Sequence, residues 1–206
     1  MRAARVTTMA AALAALAGCE RGGDKGGEKA VESGERVNAV AAGREKPASV
    51  SVKEFCDVHA PPPGAAPSLQ MPALAGGQAA PQKGSWRWVN LWATWCKPCI
   101  EEMPHLARWH KDLAAEGVSF DLVFLSVDDS DELVTRFRER HPNTPPSLRL
   151  ADPDSLPKWL AAIGLGESAP IPVHVFVDPD DGVRCVRAGA VKEGDLAAVR
   201  VILGAS

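Results

Sequence analysis

Apolar runs and helix-spaced apolar residues alternate along the second half of the chain, and this alternation predicts its elements. Continuous apolar runs predict buried strands at residues 88–93, 120–127 and 171–177, and the run at 183–188 predicts a strand that pairs with the third of these. Helical spacing predicts helices from Cys96 to Gly117, at 130–141, at 155–163, and from Gly194 or Asp195 to Leu203. This order predicts an α/β sandwich around a mixed sheet.

The same spacing predicts which side chains of the first two helices face the core. In the first helix these are Ile100, Met103, Leu106, Leu113 and Ala114. In the second helix, which we expect Asp129 or Ser130 to cap, they are Leu133, Val134 and Phe137.

The N-terminal quarter has a different composition. Arg2 and Arg5 precede a short apolar run at 6–17, and Leu16-Ala17-Gly18-Cys19 resembles a bacterial lipoprotein signal that is cleaved before Cys19 and lipidated there. An ordinary secretory signal is the alternative, and both interpretations export the protein. We therefore predict a signal peptide at 1–18, a flexible Gly/Glu/Lys/Ala tether at 19–48, an N-terminal arm at 49–65 and the main domain at 66–206.

The net charge and the number of cysteines are the features of the composition that limit the possible functions. The 206 residues carry a formal net charge of −3, so no polyanion-binding surface is expected and nucleic acid is not a predicted partner. The chain has five cysteines, at positions 19, 56, 96, 99 and 185. The odd count is explained if Cys19 carries lipid.

Residues 88–104, WVNLWATWCKPCIEEMP, carry the candidate chemistry. Cys96 and Cys99 lie three apart at the start of a predicted helix, and Pro98 suits a first helical turn. The helix N-terminus favours a thiolate, so we expect a lowered pKa for the Cys96 thiol, with Cys96 as the nucleophile and Cys99 as the resolving thiol. Taken alone, a C-x-x-C pair is also half of a zinc site.

Residues 90–104 resemble the N-[LF]-W-A-[TS]-W-C-x-P-C-x-x-E-x-P signature of the TlpA/ResA-like branch of the thioredoxin superfamily. The resemblance implies a thioredoxin fold with an N-terminal β-hairpin extension, at residues 68–77 here. It also implies a membrane-anchored, extracytoplasmic thiol:disulfide oxidoreductase without a cofactor. Such proteins reduce protein disulfides in cytochrome c or copper-site maturation, with electrons from a membrane thiol donor. A disulfide oxidase, or a copper- or peptide-binding protein without activity, remains the alternative.

Further site residues follow from the same resemblance. Glu102 matches its acidic residue and is expected to be a half-buried carboxylate that exchanges the proton of Cys99, because Asn90 stands where cytoplasmic thioredoxins carry a buried aspartate. An acidic residue of the first helical turn, favoured there only by the helix dipole, is the alternative. Pro172 aligns with the superfamily's cis-proline, which presents the Ile171 backbone to a substrate strand. Val173-His174 departs from the threonines usual after this proline, which leaves the substrate open.

Several neighbouring residues have both a functional and an ordinary explanation. Trp95 is predicted to form an apolar platform for partners, and Lys97 either favours the Cys96 thiolate or is a solvated cation. His105, His110 and His174 could join the thiolates around copper, but the helical spacing of His105 and Cys99 makes shared ligation strained, so no metal site is predicted.

Cys56 and Cys185 are the remaining cysteines. In an oxidising compartment we expect them to be paired, and some TlpA-like proteins carry such a second disulfide between the N-terminal arm and the closing hairpin. Two buried free thiols are the alternative.

Overall fold

The structure, a computed structural model, describes residues 51–61 and 65–204. The predicted signal peptide, Cys19 and the predicted tether at 19–48 lie outside the described residues. Within the described ranges, none of the helices combines the length and the apolar character needed to cross a bilayer.

A six-stranded mixed sheet forms the centre of the described chain, in the order β1-β6-β5-β2-β3-β4. Strands β2, β3 and β4 run parallel, whereas the β2–β5, β5–β6 and β1–β6 pairs are antiparallel. The strands are β1 (Val58–His59), β2 (Trp86–Trp92), β3 (Phe120–Ser126), β4 (Ser147–Arg149), β5 (Val173–Val177) and β6 (Val183–Ala188). The predicted α/β class with a central mixed sheet is confirmed.

The helices flank this sheet, and the four that follow the N-terminal arm begin close to the predicted positions. The helix within the arm was not predicted. They are α1 (Val52–Phe55), α2 (Lys97–Ala115), α3 (Asp131–Arg140), α4 (Leu156–Ala162) and α5 (Leu196–Ile202), with 3-10 turns at Ala75–Gly77, Pro153–Ser155 and Glu193–Asp195. Ser130 caps α3, because its side chain accepts a hydrogen bond from Leu133 N at 3.4 Å. Beyond α2, Gly117 adopts a φ of +87°, a left-handed conformation that glycine tolerates.

The most completely buried strands are β2 and β5, which lie side by side at the middle of the sheet. Every residue of β5 is buried, as are all residues of β2 after Trp86. The ring of Trp88 lies 4.7 Å from that of Phe176 and 6.3 Å from that of Trp109 on α2, measured between centroids. These aromatic contacts fix α2 against the two central strands.

The N-terminal arm packs onto the far edge of the sheet. Phe55 is buried, its ring meets Phe176 edge-on at 6.1 Å, and the Arg187 guanidinium lies 4.8 Å above it. Strand β1 pairs with β6, and a Cys56–Cys185 disulfide joins the arm to that strand. The arm therefore extends the sheet by one strand.

The segment expected to form an N-terminal β-hairpin has a different structure. Instead of pairing with each other, Ser68 and Leu74 form isolated bridges to Gly182 and Leu150. Pro67 and Pro72 lack the N–H that a hairpin ladder needs. Among the described residues, this stretch contains no strand, and it runs instead along the main sheet.

Two predictions of inward-facing side chains are wrong. Leu133 is exposed by 41%, and Ala114 is also exposed. Each follows or precedes a buried neighbour, Leu113 or Val134, and successive residues of a helix point about 100° apart. At these two positions the buried face of the helix covers only one residue of each pair, and Leu113 and Val134 are the ones that face the core.

Candidate active site

The cysteine pair lies at the start of α2, just after the short connection from β2. Cys96 is the N-cap of α2, with extended backbone, and Cys99 N lies 3.3 Å from its Sγ. The two sulfurs form a disulfide with a Cα–Cα distance of 5.3 Å. Cys96 keeps 4% of its surface exposed and Cys99 none. A group that attacks from solvent therefore reaches Cys96 before Cys99. This agrees with the predicted roles of Cys96 as the nucleophile and Cys99 as the resolving thiol.

A buried carboxylate anchors the loop that precedes the pair. Asp128, 1% exposed, accepts hydrogen bonds from Thr94 N at 3.0 Å, from Thr94 Oγ1 at 2.7 Å and from Ser126 Oγ at 2.8 Å. These bonds tie the end of β2 to the end of β3. The sequence analysis did not identify Asp128, although a short polar run directly after a buried parallel strand is the pattern that could have found it.

A third chain segment lies beside the pair, and its Ile171–Pro172 peptide bond is cis. The Cys96 Sγ lies 3.8 Å from the Ile171 carbonyl oxygen. A disulfide sulfur has no hydrogen to donate, so this is a packing contact in the oxidised form. Pro172 is buried and Ile171 half-buried, so the Ile171 backbone borders the redox site.

The predicted substrate-contacting side chains surround Cys96 in the sequence and lie at the surface. Trp95 is 69% exposed, and Lys97 and Pro98 are exposed as well. The Lys97 ammonium pairs with Glu101, four residues on along α2, so part of its charge is compensated away from the sulfurs. Their roles in binding a partner stay predictions.

Glu102 lies in a buried polar cluster between α2 and the sheet. It is 3% exposed, which is deeper than the half-buried position expected from sequence. Its Oε1 accepts from Asn90 Nδ2 at 2.9 Å, and its Oε2 accepts from Val191 N at 2.9 Å. His174 Nε2 lies 3.4 Å from the same Oε2. Glu102 follows Cys99 by three residues, so the cluster occupies the same side of α2 as the buried sulfur.

The three histidines considered as metal ligands point to different partners. His110 Nε2 is 3.0 Å from the Phe120 carbonyl, His105 Nδ1 is 3.9 Å from Glu193 Oε2, and His174 faces Glu102. Across residues 51–61 and 65–204, no three His, Cys, Asp or Glu side chains gather into a possible metal site. The part of His174 in the Glu102 cluster was missed, although a histidine inside the apolar strand VHVFV is itself unusual.

The comparisons with known proteins address the same part of the chain. A model of the AhpC/TSA family matches residues 64–186, a range that includes both cysteines, Glu102 and Pro172. The chain belongs to the AhpC/TSA family. Its similarity to relatives named ResA confirms the resemblance of residues 90–104 to the TlpA/ResA-like branch.

Relatives of this AhpC/TSA protein are named as thiol-disulfide oxidoreductases or as thioredoxin-like proteins. Thiol-disulfide oxidoreductase ResA of Bacillus subtilis (strain 168) is 27% identical over 158 residues, which is 76% of each chain. ResA of Bacillus anthracis is 30% identical over 101 residues, covering 49% of this chain and 53% of its own. Thioredoxin-like protein YneN of Bacillus subtilis (strain 168) is 34% identical over 85 residues, 40% of this chain and 50% of its own. The chain thus spans about half the length of most of these curated relatives.

Similar solved structures include two proteins from different bacteria. A thioredoxin family thiol:disulfide interchange protein from Chlorobium tepidum TLS has 27% identity and a TM-score of 0.47, covering 59% of this chain and 82% of its own. StoA from Bacillus subtilis has 19% identity and a TM-score of 0.45, covering 67% and 96%.

Proposed function

We propose that this protein is a thiol:disulfide oxidoreductase whose Cys96–Cys99 pair cycles between a disulfide and two thiols. The observation that carries the proposal is the closed pair at the N-terminus of the 19-residue helix α2, with the Cys96 Sγ 3.8 Å from the Ile171 carbonyl. Family membership and the names of the ResA relatives support it.

The catalytic cycle follows from which sulfur is accessible. In the reducing direction, the Cys96 thiolate attacks a partner disulfide and forms a mixed disulfide, while one partner sulfur leaves as a thiolate. The helix N-terminus and the Cys99 N–H stabilise the attacking anion. Cys99 then gives its proton to the Glu102 carboxylate and attacks Cys96 Sγ. The second partner sulfur leaves, and two electrons have moved to the partner.

We further propose that the protein works outside the cytoplasm, anchored to a membrane through lipid on Cys19. The direction is expected to be reduction of specific partners, in cytochrome c or copper-site maturation, with a membrane thiol protein as the electron donor. The lipoprotein-like sequence at 16–19 supports the anchor, and the resemblance supports the direction. Substitution Cys19→Ser should release the protein from membranes, and equal membrane binding by the variant would refute the anchor.

Two measurements test the activity. The Cys99→Ala variant is expected to accumulate mixed disulfides with its partners in cells, whereas the matched Cys96→Ala variant should accumulate none. The reduction potential of Cys96–Cys99 against glutathione decides the direction, since a reductase needs a potential below that of its substrates. A pair that does not open at all in glutathione or dithiothreitol would refute the proposed function.

A further inference from the structure

His174 lies directly opposite Asn90 on the two central strands. The pair is in register across β2 and β5, so both side chains project from the same face of the sheet, toward Glu102 on α2. His174 is fully buried. A buried imidazole beside a buried carboxylate needs an assigned partner for each ring nitrogen.

The hydrogen bonds fix the tautomer of this imidazole. Trp88 Nε1 lies 3.2 Å from His174 Nδ1, and an indole nitrogen can only donate. Asn90 Nδ2 lies 3.3 Å from the same Nδ1, so a second donor also faces it. Nδ1 is therefore the acceptor, and the ring hydrogen of the neutral imidazole is on Nε2. A hydrogen on Nδ1 would point at the hydrogens of both donors and would repel them.

The Nε2–H then has one acceptor within reach. It lies 3.4 Å from Glu102 Oε2, yet in the disulfide form it is not aligned for a hydrogen bond, and it has no other partner among the residues that the structure describes. Oε2 already accepts from Val191 N, and a carboxylate oxygen has room for a second donor. A fully buried donor without a partner is costly, so a small rotation of the carboxylate toward Nε2 is favourable.

We propose that His174 is a positioning residue for Glu102: its neutral Nε2–H holds the ionised carboxylate ready to take the Cys99 proton. The proposal rests on the proposed function. His174 does not take up the transferred proton itself, because Nδ1 already accepts from Trp88 and Asn90 and Nε2 already holds a hydrogen. It acts only through Glu102, which it keeps charged and oriented until the proton arrives.

Other charged groups around Glu102 do not provide this donor. On α2, Glu101 pairs with Lys97, and His105 faces Glu193. The loop ahead of α5 contributes Lys192 and Glu193 to the crevice beside Glu102. Glu193 pairs with Arg108. Within the described residues, no hydrogen bond or ion pair joins the Lys192 ammonium to Glu102. Among the described residues, His174 is thus the one titratable side chain that an interaction joins to this carboxylate.

An aromatic disulfide, 5,5′-dithiobis(2-nitrobenzoate), separates the two steps. Attack by the Cys96 thiolate releases one coloured aryl thiolate and leaves an aryl mixed disulfide on Cys96. Glu102 takes the proton of Cys99, the Cys99 thiolate attacks Cys96 Sγ, and the second aryl thiolate leaves. The dithiol is oxidised and the aryl disulfide is reduced by two electrons, and the proton on Glu102 passes to solvent.

The experiment compares full chains that all carry Cys19→Ser, reduced only at Cys96–Cys99 and checked by mass for the closed Cys56–Cys185 bond. The His174→Leu variant should leave the first release unchanged and move the acid limb of the second release up by about one pH unit, because a carboxylate that loses a donor is harder to ionise. His174→Gln, which keeps an N–H donor, should stay within about threefold of the original protein. His105→Leu is the matched control and should change neither release.

The outcomes separate the possibilities. An unchanged second release in His174→Leu overturns the proposal, and so does an equal slowing at every pH in both His174 variants, which is what a packing role alone would give. In a Glu102→Gln background, His174→Leu should cause no further shift of the pH profile, and an additional shift contradicts action through Glu102. If the original protein releases no second thiolate, the proposed function has failed and not only the role of His174.

A measurement on the unsubstituted protein avoids any folding defect of the variants. The nitrogen chemical shifts of His174 in the NMR spectrum should show hydrogen on Nε2 and a bare Nδ1 at neutral pH. Hydrogen on Nδ1, or on both nitrogens, would overturn the proposal.

Discussion

At the scale of single residues, the site depends on buried polar side chains whose partners come from distant parts of the sequence. Asn90 and Glu102 are twelve positions apart, whereas Glu102 and Val191 are separated by 89. Buried polar groups without such partners would cost more than they contribute. The cluster behind Cys99 and the Asp128 anchor therefore both need the folded sheet to exist.

Asp128 holds the connection between β2 and α2 through its hydrogen bonds to Thr94. We expect Asp128→Ala to lower the free energy of unfolding by about 2–3 kcal/mol, because it leaves the Thr94 and Ser126 donors without their charged acceptor. Chemical denaturation measures the change. Asp129→Ala, at an exposed neighbouring position, is the control and should stay within about 0.5 kcal/mol. Equal effects of the two substitutions would contradict the anchoring role.

At the scale of elements, the turn between β5 and β6 is held by its own side chains. Asp178 Oδ1 accepts from Asp180 N at 2.9 Å and from Gly182 N at 2.7 Å. Asp181 has a φ of +70° and pairs with Lys83 and Arg87. The turn fixes the register of β6, the strand that carries Cys185.

Gly182 should not tolerate a side chain at this turn. A Cβ there would lie 2.8 Å from Asp178 Oδ2 and 3.2 Å from Ala66 Cβ. We expect Gly182→Ala to cost about 1–3 kcal/mol of unfolding free energy, whereas Gly194→Ala, which meets no atom within 4 Å, should be neutral or slightly stabilising. A thermal or chemical denaturation curve for each variant decides, and a neutral Gly182→Ala would show that the turn relaxes.

The same turn should contribute to stability in a pH-dependent way. Burial raises the pKa of Asp178, but hydrogen bonds from Arg184 and from Gly182 N outweigh it, so the pKa lies below its ordinary value of 3.8. A lowered pKa in the folded state contributes stability above the ordinary value, and this contribution is lost as the pH falls through the folded pKa.

We therefore expect the unfolding free energy to fall below about pH 4, and less steeply in Asp178→Asn than in the original protein. Denaturant unfolding at a series of pH values measures both slopes. Identical slopes would mean that Asp178 has the same proton affinity in the folded and unfolded chains.

At the scale of the whole molecule, the Cys56–Cys185 bond closes a loop of 129 residues that contains the active site. By loop entropy, its removal in Cys56→Ala/Cys185→Ala should lower the unfolding free energy by about 3–5 kcal/mol. Opening Cys96–Cys99, which spans only three residues, should cost much less. Denaturation of the double variant and of the selectively reduced protein tests this. Comparable losses would mean that loop length does not set the stabilisation.

The sequence by itself determined the local features of this protein. The spacing of apolar residues and the capping residues predicted most strands and helices. A buried strand has a continuous apolar run, and a helix packed on one side has apolar residues at helical spacing. The Cys96–Cys99 spacing, together with the resemblance of residues 90–104 to the TlpA/ResA-like signature, predicted the redox helix and its Glu102. The prediction of an N-terminal hairpin was wrong, because Ser68 and Leu74 pair with distant residues and not with each other. The inward orientation of Ala114 and Leu133 was wrong as well, because burial depends on the surface that each helix packs against.

Only the tertiary structure decided which distant side chains meet. The pairing of β2 with β5 places His174 against Asn90, and the packing of α2 then adds Glu102. The end of β3 likewise brings Asp128 to Thr94. No local pattern encodes these contacts, because strand order and register join residues that are many tens of positions apart, and the burial that makes their hydrogen bonds necessary arises only when the sheet and α2 close on each other.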